Sequence, residues 1–186
     1  MKTRLAGLLA LALLALAAPA FGLDPGPAVG AKIPAGFTAA DKTGEPQSLA
    51  SISGRNGVVL AFVRSAKWCP YCQKQLIDLK AAQAPLAAQG YRLAAISYDD
   101  PAVLAQFAAK QSIGYTLLSD KGSAMIDAFK LRDPQYKPDS FAYGVPTPAI
   151  FVIGRNGVIK AKLAEEGYKT RPPVPLILQT VSALPK

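Results

Sequence analysis

Apolar residues fall in short runs separated by turn-forming residues along most of this chain, the rhythm of strands alternating with helices. Val58-Val59-Leu60-Ala61-Phe62-Val63 and Ala149-Ile150-Phe151-Val152-Ile153 are continuous apolar runs of strand length. Tyr91 to Ser97 and Thr116 to Leu118 predict two more strands. The Ala149 run continues through Arg155-Asn156-Gly157 into Val158-Ile159-Lys160-Ala161, and Asn-Gly between two such runs predicts a β-hairpin. Phe37 to Ala40 and Gln47 to Leu49 flank a polar Asp41-Lys42-Thr43-Gly44-Glu45 turn and predict an N-terminal hairpin. Helical patterns fill the intervals. One runs from about Pro70 to Gln89, and Pro85 should bend or interrupt it, since its ring displaces a helical hydrogen bond. Asp99-Asp100-Pro101 predicts a capped helix through Val103, Leu104 and Phe107. Further helices are expected from about Gly122 to Phe129 and from Val174 to Leu184. Together these elements predict an α/β fold, a central mixed β-sheet flanked by helices on both faces. Arg-Asn-Gly-Val occurs at both 55–58 and 155–158, but the flanks differ in pattern, so this is a reused turn rather than an internal repeat.

The first apolar stretch breaks the rhythm. Lys2 and Arg4 precede 14 residues from Leu5 to Ala18, followed by small residues at Ala18-Pro19-Ala20 and Ala20-Phe21-Gly22. This is the pattern of an export signal over residues 1–22, shorter than the ~20 apolar residues a spanning helix needs. Cleavage after Gly22 is favoured, with Ala20 as the alternative, and any membrane association is expected only through that signal. No cysteine lies near the cleavage region, which argues against a lipid-modified N-terminus. Residues 23–32 are rich in Pro and Gly and predict a flexible, loosely held lead-in. Residues 33–186 are of a length to form one domain with its own core. The chain carries 21 basic and 12 acidic residues and no His, a net charge of +9. The basic residues are scattered and no nucleic-acid motif accompanies them, so a solvated basic surface is expected and nucleic acid is not a partner.

Both cysteines of the chain lie in Trp68-Cys69-Pro70-Tyr71-Cys72, where the Val58–Val63 strand gives way to a helix. A C-x-x-C at such a junction points to dithiol–disulfide chemistry. Cysteines three apart share one face of a first helical turn, within the Cα spacing of a disulfide. Cys69, the outer one, sits where free backbone N–H groups and the helix dipole favour a thiolate, and Pro70 suits the first helical position. A purely structural disulfide closing so short a loop would restrict the unfolded chain very little. Zinc needs about four ligands, and without His or further Cys one protomer cannot supply them. No cofactor or metal is expected. Lys67 and Lys74 flank the pair and could favour the Cys69 thiolate by charge.

In these residues the chain resembles the thioredoxin superfamily, in its peroxiredoxin-like branch of alkyl hydroperoxide reductase and thiol-specific antioxidant domains. The resemblance runs from about Ile33 to Tyr168. It rests on Gly57 to Arg64, Trp68 to Cys72, Leu118-Ser119-Asp120, and Tyr143-Gly144-Val145-Pro146-Thr147-Pro148 leading into Ala149–Ile153. It implies a thioredoxin-like fold, Cys69 as the attacking thiol, Cys72 as the resolving thiol, and a redox-active Cys69–Cys72 disulfide. The Pro-Tyr dipeptide between them is that of glutaredoxins. Pro148 matches the cis-proline of the fold, and Thr147 before it would offer backbone hydrogen-bonding groups to an extended partner. Trp68, Pro70, Tyr71, Thr147 and Pro148 are thus the candidate substrate-contacting residues. Tyr136, Phe141 and Tyr143 lie in the insertion before Pro148 and could line a groove or pack the insertion onto the core.

The departures from the family pattern set the ranking of functions. Peroxiredoxins carry Thr or Ser three residues before the attacking Cys, where Ala66 stands here, and an Arg in the loop where Pro148 stands. A peroxide site needs donors for the negative charge that develops as the O–O bond breaks. Arg64 is a candidate stand-in. The buried Asp that thioredoxins place on the strand before the cysteines is missing too. The expectation is an exported thiol–disulfide oxidoreductase exchanging disulfides with protein thiols, with an electron-donating thiol partner in its oxidising compartment. A thiol peroxidase acting on hydroperoxides through a cysteine sulfenic acid ranks second. A Cu(I) carrier using both thiolates ranks third, weakened by the absence of His.

Overall fold

Every residue of the strand that leads to the cysteines is buried, and the fold is arranged around it. In the computed structural model, which describes residues 24–185, the elements run β1 (Thr38–Asp41), β2 (Pro46–Ser48), α1 (Leu49–Ile52), β3 (Gly57–Phe62), α2 (Pro70–Asp78), α3 (Lys80–Ala88) and β4 (Tyr91–Ser97). They continue through α4 (Pro101–Gln111), β5 (Thr116–Ser119), α5 (Ala124–Ala128), β6 (Ala149–Gly154), β7 (Ile159–Leu163) and α6 (Val174–Ser182). The 1–22 segment read as an export signal lies outside the described residues. Among the described residues no helix is long and apolar enough to cross a membrane.

Seven strands form one mixed sheet in the order β2-β1-β5-β4-β3-β6-β7. β3, β4 and β5 are parallel, while β6 and β7 on one side and β1 and β2 on the other run antiparallel to their neighbours. Strand alternation divides β3 between two cores. Val59, Ala61 and Val63 face a cluster built with Leu76, Leu86, Leu104 and Ile177, from α2, α3, α4 and α6. Val58, Leu60 and Phe62 face the opposite cluster, with Ile52 of α1 and Ile126 of α5. Phe62, Phe129 and Phe151 are fully buried there and pack ring against ring at 4.8–5.8 Å. Burying each such ring contributes about 1.5–3 kcal/mol relative to exposure. Gly57 opens β3 with φ +135°, and a Cβ there would run into the Ile153 carbonyl, so the close approach of β3 to β6 requires glycine.

Two local expectations are revised, and a third, the Asp99-Asp100-Pro101 cap, is made specific. The helix from Pro70 does not break at Pro85, which lies inside α3; it breaks at Leu79. The buried Tyr115 hydroxyl donates to the Leu76 carbonyl at 2.7 Å, drawing a sideways bond to the group that Lys80 N–H would use in a continuous helix. Asp100, not Asp99, is the N-cap residue of α4, with Pro101 in the first turn, and its side chain makes no cap bond. The lead-in is bound rather than loose at its end: Gly30 N–H donates to Ile159 O and Ile33 N–H to Gly157 O, while Ile159 N–H donates to Ala31 O. Earlier in the lead-in, Lys162 donates to Pro27 O at 3.1 Å and pairs with Asp24.

Candidate active site

The chain leaves β3 at its C-terminal end and reaches Cys69 through the loop 64–68. Cys69 is the N-cap of α2, with Pro70 next, and its Sγ accepts from the Cys72 N–H at 3.3 Å. Cys69 and Cys72 are joined as a disulfide, Cα to Cα 5.2 Å. The expected exposure of Cys69 is not found: Cys69 is 2% exposed and Cys72 fully buried. Both sulfurs belong to the apolar cluster that α2 covers. The surface is left to Pro70, Tyr71 and the half-buried Trp68.

The loop before the cysteines is held by Asp99, which sequence reading assigned to a helix cap. This buried side chain accepts from Ser65 Oγ at 2.7 Å, from Ala66 N–H at 2.6 Å and from Ser97 Oγ at 2.9 Å. Ser65 Oγ in turn accepts from the N–H groups of Lys67 and Trp68. A run of backbone donors that no strand or helix satisfies is thereby paired, and Cys69 is delivered in a fixed orientation. Trp68 Nε1 donates to the Tyr98 hydroxyl at 2.9 Å, and burial pushes the Tyr98 pKa up, so this hydroxyl stays protonated. The Trp68 ring meets Phe141 edge-on at 5.2 Å.

The segment 164–173, a strap between β7 and α6, also reaches the pair. Arg171 donates through Nη2 to Cys72 Sγ at 3.5 Å and through Nε to Gln75 Oε1 at 2.8 Å, and its Nη1 is shared between the carbonyls of Tyr168 and Thr170. Burial, reinforced by the charge of Arg64, pushes its pKa down to about 10. Arg64 is itself buried; its guanidinium lies over the rings of Tyr168, Tyr136 and Trp68 at 4.3, 4.9 and 5.2 Å and donates to the Tyr136 hydroxyl, while its Nε has no partner. Tyr168 also meets the ring of Tyr71. Neither guanidinium has a carboxylate partner among the described residues. Lys74, by contrast, is paired with Asp78 at 2.6 Å on the surface of α2, and Lys67 is exposed.

Pro148 lies at the same end of the sheet, since Phe62 pairs with Ala149. Its peptide bond is trans; the described residues contain no cis bond. The Thr147 N–H, expected to serve a partner, donates to Leu131 O at 2.7 Å, and Arg132 pairs with Pro146. The end of the insertion, residues 145–147, is thus paired with the 131–133 segment, while residues 138–144 run in turns. Tyr136 packs inward on Arg64, Tyr143 stacks on Arg132, and Phe141 stands out at 77% exposure. Arg171, Tyr168 and Gln75 carried no sequence signal: two lie almost a hundred residues beyond the cysteines, in a stretch without periodicity.

A mixed sheet with helices on both faces, and a cysteine pair opening the helix after a central parallel strand, define a thioredoxin-superfamily domain of the peroxiredoxin-like branch, carrying an oxidoreductase's dithiol. The chain belongs to the AhpC/TSA family, whose model matches residues 29–162. It is similar to the chloroplastic peroxiredoxin Q of Suaeda salsa, 30% identical over 128 residues that cover 69% of this chain and 56% of that protein. The same protein from Arabidopsis thaliana is 33% identical over 124 residues, covering 67% and 54%. The chain therefore spans a little over half the length of these curated relatives. The crystal structure of peroxidoxin BcpB from Mycobacterium tuberculosis superimposes with a TM-score of 0.70 at 22% identity, over 85% of this chain and 98% of that one. Peroxiredoxin Q of Xanthomonas campestris gives 0.64 at 18% identity, over 79% and 90%. At these identities the structures speak for the fold alone.

Proposed function

We propose that the protein is a thiol-dependent peroxidase, the reading ranked second from sequence. The observation that carries it is the match to the AhpC/TSA family over residues 29–162, with relatives that are peroxiredoxins Q. The Cys69 thiolate attacks one oxygen of a hydroperoxide; the S–O bond forms, the O–O bond breaks, and the alkoxide leaves and takes up a proton. Cys72 then condenses with the sulfenic acid, giving the disulfide and water. A reducing thiol partner restores both thiols by exchange. Helix N-terminal N–H groups support the Cys69 thiolate, as its bond from Cys72 N–H supports. With Ala66 and Pro148 at the family's usual donor positions, Arg64 is the candidate donor to the departing oxygen, a role supported by its buried Nε having no other partner. The reading includes export, on the strength of Lys2, Arg4 and the Leu5–Ala18 stretch, which puts the reductant outside the cytoplasm.

Exchange with protein disulfides is a second reading, favoured by the exposed aromatic rim of Tyr71 and Phe141 beside the pair. Rapid mixing of reduced protein with hydrogen peroxide, an organic hydroperoxide and a model protein disulfide separates the two. A peroxidase oxidises with hydroperoxide about 10² or more faster than a free thiolate of the same ionisation, and Cys72→Ser accumulates a trappable sulfenic acid on Cys69. Free-thiol rates with peroxide, alongside fast disulfide exchange, would hand the assignment to the second reading.

A further inference from the structure

Cys72 is fully buried, and a thiol in apolar surroundings resists ionisation, yet resolution needs its thiolate. Among the described residues, the charged group that hydrogen-bonds its sulfur is the guanidinium of Arg171, 3.5 Å away. Behind it stands Arg64, from the loop after β3. From α2, the neighbour is the neutral Gln75, which accepts from Arg171, while Lys74 and Asp78 neutralise each other at the surface. The remaining bonds of Arg171 go to backbone carbonyls of its own strap. The half-buried Arg171 on Cys72 and the buried Arg64 near it thus have no carboxylate partner among the described residues, and burying such charge unpaired is costly. The anion that would balance them is the one the dithiol produces when reduced.

We infer that Arg171 activates the resolving thiol, holding Cys72 as a thiolate in the reduced protein. This rests on Cys72 being the resolving residue, which peroxide reduction and disulfide exchange share. In the resolution step the Cys72 thiolate attacks the Cys69 sulfur; the S–S bond forms, the S–O bond of the sulfenic acid breaks, and the departing hydroxide is protonated to water. Cys72 sulfur is oxidised as Cys69 sulfur is reduced from the sulfenic level, and no further reactant enters. Arg171 keeps its own proton throughout: its role is charge, and the proton of Cys72 has already left to solvent. Because the cation favours the reduced form over the neutral disulfide, it also makes the couple more oxidising. The residue comes from the strap, beyond the 29–162 span that matches the family.

The test isolates Cys72 in a Cys69→Ser protein and follows thiolate absorbance at 240 nm against pH. Its midpoint should fall below the ~8.5 of free cysteine. Adding Arg171→Gln should raise it by about one pH unit or more, the ordinary effect of removing an opposite charge at this range, and Arg171→Lys should fall between. The midpoint of Cys69, read in Cys72→Ser, should move by less than half as much. A Cys72 midpoint at or above the free value, or one that Arg171→Gln leaves in place, overturns the inference. Should Arg171→Gln not fold, Arg171→Lys decides by the same criterion. The titration uses neither peroxide nor partner, so it can fail while the peroxidase reading stands, and the reverse.

Discussion

The loop 64–68 and the strap 164–173 both reach the disulfide region, meeting where Arg64 lies over Tyr168, and are held in different ways. Asp99 gathers Ser65, Ala66 and Ser97 into a buried network in which no sulfur takes part. The strap is fastened by Arg171 and Tyr168, and one of its bonds ends on Cys72 Sγ. Reduction of the cysteines changes no partner in the Asp99 network, whereas it changes the partner of one strap bond, that of Arg171 to Cys72. One fixes where the chemistry happens; the other is placed to respond to it.

The largest effect expected is on the loop. Asp99→Ala leaves three buried donors unpaired and should destabilise the protein by about 2–4 kcal/mol, equally in oxidised and reduced forms, by urea unfolding. A loss that differs between the two forms would break the contrast with the strap. Tyr168→Leu removes a ring from Arg64 and from Tyr71 and should cost about 1 kcal/mol, while speeding reduction of the disulfide by a small thiol. An unchanged reduction rate would mean that the sulfurs are reached from elsewhere. Phe141→Ala is the mildest change. With 77% of the residue exposed, stability should move by less than about 0.5 kcal/mol. The emission of Trp68, the chain's single tryptophan, should nonetheless shift, because Phe141 lies against its ring.

The strands were legible because their signal is local: Val58–Val63 and Tyr91–Ser97 are continuous or nearly continuous apolar runs, and β3 and β4 follow them within a residue. Cys69 as the cap of α2 was legible for the same reason, from Cys-Pro-x-Cys at a strand's end. What escaped depends on contacts between distant segments. Asp99 and Asp100 are equivalent in a capping pattern, and only the position of Ser65 decides which turns inward. The Thr147–Leu131 bond, and the Tyr115 hydroxyl on the Leu76 carbonyl beside the break at Leu79, join residues well apart in sequence. Arg171 is invisible beforehand, since a lone basic residue ahead of two prolines resembles any solvated loop.

The bonds between residues 30–33 and the start of β7 have a consequence for association. A mixed sheet ends in two open edges, each a template on which another chain can add a strand. On one side the last strand, β2, has three residues and begins with proline, too short and too poor in donors to recruit a neighbour. On the other the lead-in takes up the hydrogen-bonding groups of Gly157 and Ile159, closing the start of the β7 edge to an intruding strand. A proteolytic nick near Gly30 would cost little of the core. It would uncover β7, and the harm would show as self-association rather than as unfolding.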